Sequence, residues 1–256
     1  MSEHVRIDRN RGVLAITLAR PERRNAITVD MYAALAEAFE SAADDRSIRV
    51  ISIAGEGQDF AAGNDLADFL GAAERSGEIP VWRFLRALAG CQIPVVAAVH
   101  GNCVGIGTTM LLHCDLVIAE EGARFSLPFV DLGLVPEAAS SLLMPRLAGR
   151  RMAARYLLLC EPFGVDEAEA LGLISHRVAQ GALAGALASI LEMLLAKPGE
   201  ALRETQRLLR DGQSAEILER MALESRKFTQ RLASAEVKEA ITAFFEKRKP
   251  DFSGLQ

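Results

Sequence analysis

Seven consecutive apolar residues, Ile93-Pro94-Val95-Val96-Ala97-Ala98-Val99, constrain this chain's fold more than any other stretch. A strand with no polar face belongs in a sheet covered on both sides, the usual setting of parallel strands joined by helices. The flanking pattern agrees. Residues 5–8 and 13–18 read as two strands turned by Asn10-Arg11-Gly12. A helix capped by Thr28 follows, with Met31, Leu35, Ala38, Phe39 and Ala42 on one face. Residues 49–54 read as a strand, 81–89 as a helix closed by Gly90, 108–113 as a helix and 116–119 as a strand. This alternation with short connections predicts an α/β layer fold with mostly parallel strands. From 182 to 249 the pattern turns almost wholly helical, with breaks at Lys197-Pro198-Gly199 and Asp211-Gly212 and a cap at Ser234. A boundary near 197 therefore separates an α/β core, residues 1–197, from a helical region, residues 198–256. No internal repeat is visible, and 71–80 reads as a polar loop.

The 256 residues are half apolar, enough to bury a full core, and the 34 acids and 29 bases are spread along the chain. No block of like charge points to nucleic acid or an anionic membrane. The four cysteines show no Cys-x-x-Cys spacing and there is no His-Glu-x-x-His, so neither a metal site nor a disulfide framework is expected. The first residues lack an apolar signal region, and no apolar run reaches the roughly 18 residues that span a bilayer. The terminal Gly-Leu-Gln is no peroxisomal address, so a cytoplasmic protein is expected.

The chemistry concentrates in three places. Glu137 is a lone carboxylate among Leu134, Val135, Pro136 and Ala138, where desolvation would raise its pKa and make it a stronger base. The plainer reading is a surface Glu favoured by a helix N-terminus. Gly101-Asn102-Cys103-Val104-Gly105-Ile106-Gly107 follows the apolar strand and precedes a helix, which would leave the Ile106 N–H unpaired at the positive end of the dipole. It is not a dinucleotide fingerprint, because Met110 stands where the third Gly belongs, and no Lys follows to make a P-loop. A plain packing turn remains open. Ala61-Ala62-Gly63-Asn64-Asp65-Leu66 also follows a strand; alone it reads as a turn with Asp65 capping a helix. Paired with the second segment it supplies a second backbone donor, and two donors converging on one oxygen suit a thioester enolate. Ser140 and Ser141 could hydrogen-bond near Glu137, though Ser beside a helix start is more often a cap or a packed small residue; His100 and His113 read as rim or core histidines, and Asp115 and Asp131 as structural.

Arg20-Pro21-Glu22-Arg23-Arg24-Asn25-Ala26, residues 60–66 and residues 93–101 together resemble the crotonase (enoyl-CoA hydratase/isomerase) superfamily over nearly the whole chain. The resemblance implies a spiral of ββα units, a C-terminal helical trimerisation region, and homotrimers or dimers of trimers. It implies an acyl-CoA thioester substrate and no cofactor beyond that coenzyme A. It assigns the oxyanion hole to the Asn64 and Ile106 N–H groups, and the substrate pocket to Arg24, Ala26, Ala62, Gly63, Asp65, Leu66, Gly105 and Phe129. The 71–80 loop would line the acyl pocket. Phe244 and Lys247 match residues that reach a neighbouring subunit's coenzyme; core packing of Phe244 and Phe245 and a solvated Lys247 are the alternative. The helical tail, with Ile241, Phe244 and Phe245 on one side, would pack against other subunits.

The departures narrow the activity. Where hydratases of the superfamily carry two glutamates, this chain has Thr109 and Phe129. Glu137 instead resembles the catalytic glutamate of peroxisomal-type Δ3,Δ2-enoyl-CoA isomerases, in which one acid moves a proton between two carbons. A 3-enoyl-CoA to 2-trans-enoyl-CoA isomerase is therefore expected. The rivals are an enoyl-CoA hydratase, a hydrolase using Glu137 as nucleophile, and a catalytically silent acyl-CoA binder.

Overall fold

Strand β4 (Val95–Val99) is buried along its whole length, and the neighbouring layers show why no polar face is tolerated. The computed structural model describes residues 2–68 and 80–255. Strands β1 (Val5–Asn10) and β2 (Val13–Leu18) form the expected antiparallel hairpin. Arg11 and Gly12 take the two positive φ angles that a tight hairpin turn requires. Parallel pairing then joins β2 to β3 (Val50–Gly55), β3 to β4, β4 to β6 (Leu116–Glu120) and β6 to β9 (His176–Val178), giving the order β1-β2-β3-β4-β6-β9. A second sheet of short strands, β5 (Asn102–Val104), β7 (Arg124–Ser126) and β8 (Phe163–Gly164), has the order β5-β7-β8.

The chain thus repeats a spatial course without repeating its sequence. From β4 it passes into β5 and a helix; from β6 it passes into β7 and a helical turn. From β3 it reaches Ala61, which bridges to Cys103 of β5, before a helix opens at Leu66.

Helices cover both faces of the large sheet. On one side lie α1 (Val29–Ala43) and α2 (Pro80–Ala89), which pack Tyr32, Phe39 and Phe84 into the main core with Ile51, Val95, Ala97 and Val99. Alternate strand residues Val50, Val96 and Ile118 point the other way, against α7 (Leu183–Leu195), whose Ile190 joins them. Thr28 caps α1 by accepting the Met31 N–H, and Ser234 caps the last helix, α10 (Ala235–Phe245), through the Val237 N–H, as the sequence predicts. Helix α3 (Ile106–Thr109) starts two residues earlier than expected and tightens into a 3-10 turn over Met110–His113. The 71–80 loop lies outside the described residues except for Pro80, which opens α2.

Between the sheets and the tail come α4 (Ser140–Ala148), α5 (Arg150–Leu158) and α6 (Val165–Leu171). The tail comprises α8 (Gly199–Arg210), α9 (Ser214–Leu232) and α10 (Ala235–Phe245). Several contacts return it to the core. Asp115 accepts from Val95 N–H, Gln206 and Arg210; Trp82 of α2 meets Phe228 of α9 edge to face at 5.7 Å; Arg231 donates to the Gly133 carbonyl at 2.9 Å. Ile241, expected on an intersubunit face, is buried in its own chain, because α10 turns that side toward the main core. No helix among the described residues is long and apolar enough to cross a membrane.

Candidate active site

The two glycine segments lie side by side, laced through their backbones. Ala61 N–H donates to the Asn102 carbonyl at 3.1 Å and Val104 N–H to the Ala61 carbonyl at 2.9 Å. The approach needs missing side chains: a Cβ on Gly63 would sit 3.2 Å from the Val104 oxygen, and one on Gly107 3.1 Å from Ala61. Gly105 is needed for a different reason. Its φ of 54° and ψ of −117° suit only glycine, while a Cβ there would meet nothing within 4 Å. The kink frees the helix start: Thr108 and Thr109 N–H groups return to the Gly105 carbonyl, and the Ile106 N–H finds no acceptor among the described residues.

The first segment ends the same way. Ile27 N–H donates to Gly63 at 2.8 Å and Asp65 N–H returns to Ile27 at 2.9 Å, leaving the Asn64 N–H between them without a described acceptor. The Asn64 side chain accepts the Tyr32 phenol proton. Asp65 caps the helix that begins at Leu66 by accepting the Asp68 N–H, and it also accepts Arg20 at 2.7 Å. Arg20 further bonds the Ala26 carbonyl, so Ala26 and Asp65 share one guanidinium. Burial resists ionisation of Asp65, yet Arg20 and the backbone donors hold its pKa below the usual range. Arg24, in left-handed backbone, bonds Ala62 N–H through its carbonyl and pairs with Asp59 at 2.8 Å while its side chain stays exposed.

Glu137 is fully buried, and neither carboxylate oxygen has a hydrogen-bond partner among the described residues. A buried charge without partners is strongly disfavoured. Desolvation first, and then the negative charge of Glu224, push its pKa up to about 8. The expected apolar burial and raised pKa are met, and the surface reading fails. Helix α4 begins only at Ser140, after Ala138 and Ala139 have both taken left-handed φ angles of 58° and 55°. Each such residue without glycine's freedom costs about 1–3 kcal/mol, so the turn must be held from outside. His113 Nε2 lies 2.7 Å from the Ala138 carbonyl, and Ser140 Oγ donates to the Glu137 carbonyl at 2.6 Å. Glu224 of α9 accepts the N–H groups of Ala139 and Ser141. Burial holds His113 neutral, with a pKa of about 4, so its Nε2 carries the proton it donates.

Thr109 and Phe129 are buried in the core and offer no ionisable group. His100 is a rim residue bonded to the Gly57 carbonyl, and Asp115 is structural, as expected. Sequence reasoning missed Tyr32, Glu224 and the hold of His113 on the turn that carries Glu137. Phe244 and Phe245 are not core residues: they are 62% and 60% exposed, packed edge to face on one another, with Lys247 beyond them in left-handed backbone. Nothing described joins them to Glu137 within one chain.

A sequence profile of the enoyl-CoA hydratase/isomerase family matches residues 8–255. The chain belongs to that family. It is 34% identical to the 1,2-epoxyphenylacetyl-CoA isomerase of Escherichia coli K12 over 99% of this chain and all of the relative. It is 33% identical to the 2,3-dehydroadipyl-CoA hydratase of the same organism, again over 99% and 100%. Among solved structures, the enoyl-CoA hydratase/isomerase of Pseudoalteromonas atlantica T6c superposes with a TM-score of 0.94 at 40% identity, covering 98% of this chain and 100% of that one. The fold is therefore that of the crotonases, an α/β spiral with a helical C-terminal region, and the protein is an acyl-CoA-processing enzyme of this family.

Proposed function

We propose that this family member is an enoyl-CoA isomerase that moves a β,γ double bond to the α,β position, with Glu137 carrying the proton. The observation that supports it best is Glu137, a fully buried carboxylate whose two oxygens find no partner among the described residues, together with Thr109 and Phe129 where a hydratase would place its acids. Ionised Glu137 removes a proton from the α-carbon of the 3-enoyl thioester. The C–H electron pair moves into the carbonyl, and the resulting oxyanion is held by the Asn64 and Ile106 N–H groups, each worth roughly 3 kcal/mol. Protonated Glu137 then returns its proton to the γ-carbon as the electrons flow back and the double bond settles beside the thioester. One carboxylate closes the cycle, and the reaction so drawn uses no cofactor beyond the coenzyme A of its substrate.

Both curated relatives are named for CoA thioesters, one as an isomerase and one as a hydratase at nearly equal identity. We assign Arg24, exposed beside the first loop, to the coenzyme's phosphates. Ala26, Ala62, Gly63, Asp65, Leu66, Gly105 and Phe129 belong to the walls and frame of the substrate pocket. Phe244 and Lys247, exposed here, are assigned to a neighbour's coenzyme in a homotrimer or a dimer of trimers built through residues 198–256.

A paired assay tests the reading: formation of the conjugated thioester from trans-3-hexenoyl-CoA, and loss of conjugation from crotonyl-CoA. Isomerisation without hydration is expected. Efficient hydration would overturn the single-acid mechanism.

A further inference from the structure

The turn that carries Glu137 is gripped by a residue from the distant tail. Both oxygens of buried Glu224 are in use: Oε2 accepts the Ala139 N–H at 2.6 Å and Oε1 the Ser141 N–H at 2.9 Å. Burial pushes the Glu224 pKa up while the Ser141 and Ala139 donors and Arg220 pull it back, and accepting on both oxygens is the pattern of the ionised form. The amides it holds belong to and follow the left-handed pair, a conformation that alanine rarely keeps unaided. Other charged or titratable groups that face this turn from the elements around it, among the described residues, have partners or are neutral. Arg220, one turn earlier on α9, bonds Ser141 Oγ at 3.2 Å and offsets the charge of Glu224. His113 of the 3-10 turn is neutral, as is the buried phenol of Tyr32 on α1. Arg210 of α8 is taken by the His113 carbonyl and Asp115, and Arg146 of α4 by Glu216. None of them bonds a Glu137 oxygen.

We propose that Glu224 is a positioning residue for Glu137, gripping the turn that carries the base and standing behind it as a second negative charge. Its catalytic meaning rests on the reading of Glu137 as the proton carrier, but its structural content does not. Glu224 fixes the direction of the side chain through Ala139 and Ser141. Its charge, close enough to be felt by Glu137, disfavours a second ionisation beside it.

The test is a carbon NMR titration of the full chain labelled at the glutamate carboxyl carbon, with Glu137→Gln and Glu224→Gln assigning the two signals. In the unmodified protein each signal should show an inflection at the other's midpoint, as coupled groups do. In Glu224→Gln, which keeps the shape and one acceptor, the Glu137 midpoint should fall. Independent curves, or an unmoved midpoint in a folded variant, overturn the proposal; if the variant does not fold, the curves of the unmodified protein decide. In the isomerase assay the same variant should move the acid limb of kcat/KM to lower pH and reduce plateau kcat by about tenfold with KM nearly unchanged. An unmodified protein that leaves trans-3-hexenoyl-CoA untouched would defeat the proposed function, while the titration would still decide the role of Glu224.

Discussion

At the scale of single residues, Glu137 has been given almost nothing to make its charge comfortable, and that privation suits it to the role of base proposed above. Its pKa of about 8 lies well above that of the unfolded chain, so the folded state holds this proton more tightly. The stability this contributes is fully present below pH 4.5 and is lost as pH rises through 8. Glu137→Gln should therefore gain melting temperature relative to the unmodified protein as pH is raised from 5 to 9, measured by calorimetry across that range. The same variant should lose isomerisation by about 10³-fold while still binding coenzyme A, since the oxyanion donors remain. Activity of the unmodified enzyme should climb with pH to a midpoint near 8. Tyr32 acts one step back: Tyr32→Phe removes the donor that fixes the Asn64 side chain. It should lower kcat about tenfold without moving that midpoint.

At the scale of elements, the two loops are held by their glycines in different ways. Gly105→Ala meets no neighbour, so its penalty is backbone strain that shifts the Ile106 N–H. A kcat lower by about 10²–10³, with an unchanged far-ultraviolet dichroism spectrum, is the expected outcome. Local chemistry of this kind was legible in the sequence. Thr28 and Ser234 announce their caps within three residues, the alternation of strands and helices announces the layers, and the apolar company of Glu137 announces its burial. Glu224 could not be found that way. It is one acid on an amphipathic helix whose partner amide lies 85 positions away, and only the fold brings them together. Tyr32 was hidden for the opposite reason, because beside an apolar helical face it looks like ordinary core. Ile241 and Phe244 share a helix whose rotation the sequence alone did not fix, so one is buried and the other exposed.

At the scale of the whole molecule, the sheet and the tail are fastened through Asp115, which takes bonds from the start of β4 and from Gln206 and Arg210 of α8. Asp115→Ala strands three donors, one of them charged, in a site only partly open to water. A loss of about 2–3 kcal/mol in urea unfolding is expected. If the exposed rings serve the proposed homotrimer, Phe244→Asp with Phe245→Asp should lower the mass seen by light scattering, and an unchanged mass would count against their place in an interface.

The bond from Glu224 back to Ala139 and Ser141 also sets an order in time. A ribosome delivers both glycine loops and Glu137 well before it delivers α9. Until that helix arrives, the left-handed turn has His113 and its own Ser140 to hold it, and nothing from the last quarter of the chain. Chains that stop before α9 carry the Glu137 turn without the two bonds to Ala139 and Ser141, so that turn reaches its full set of contacts only late in synthesis.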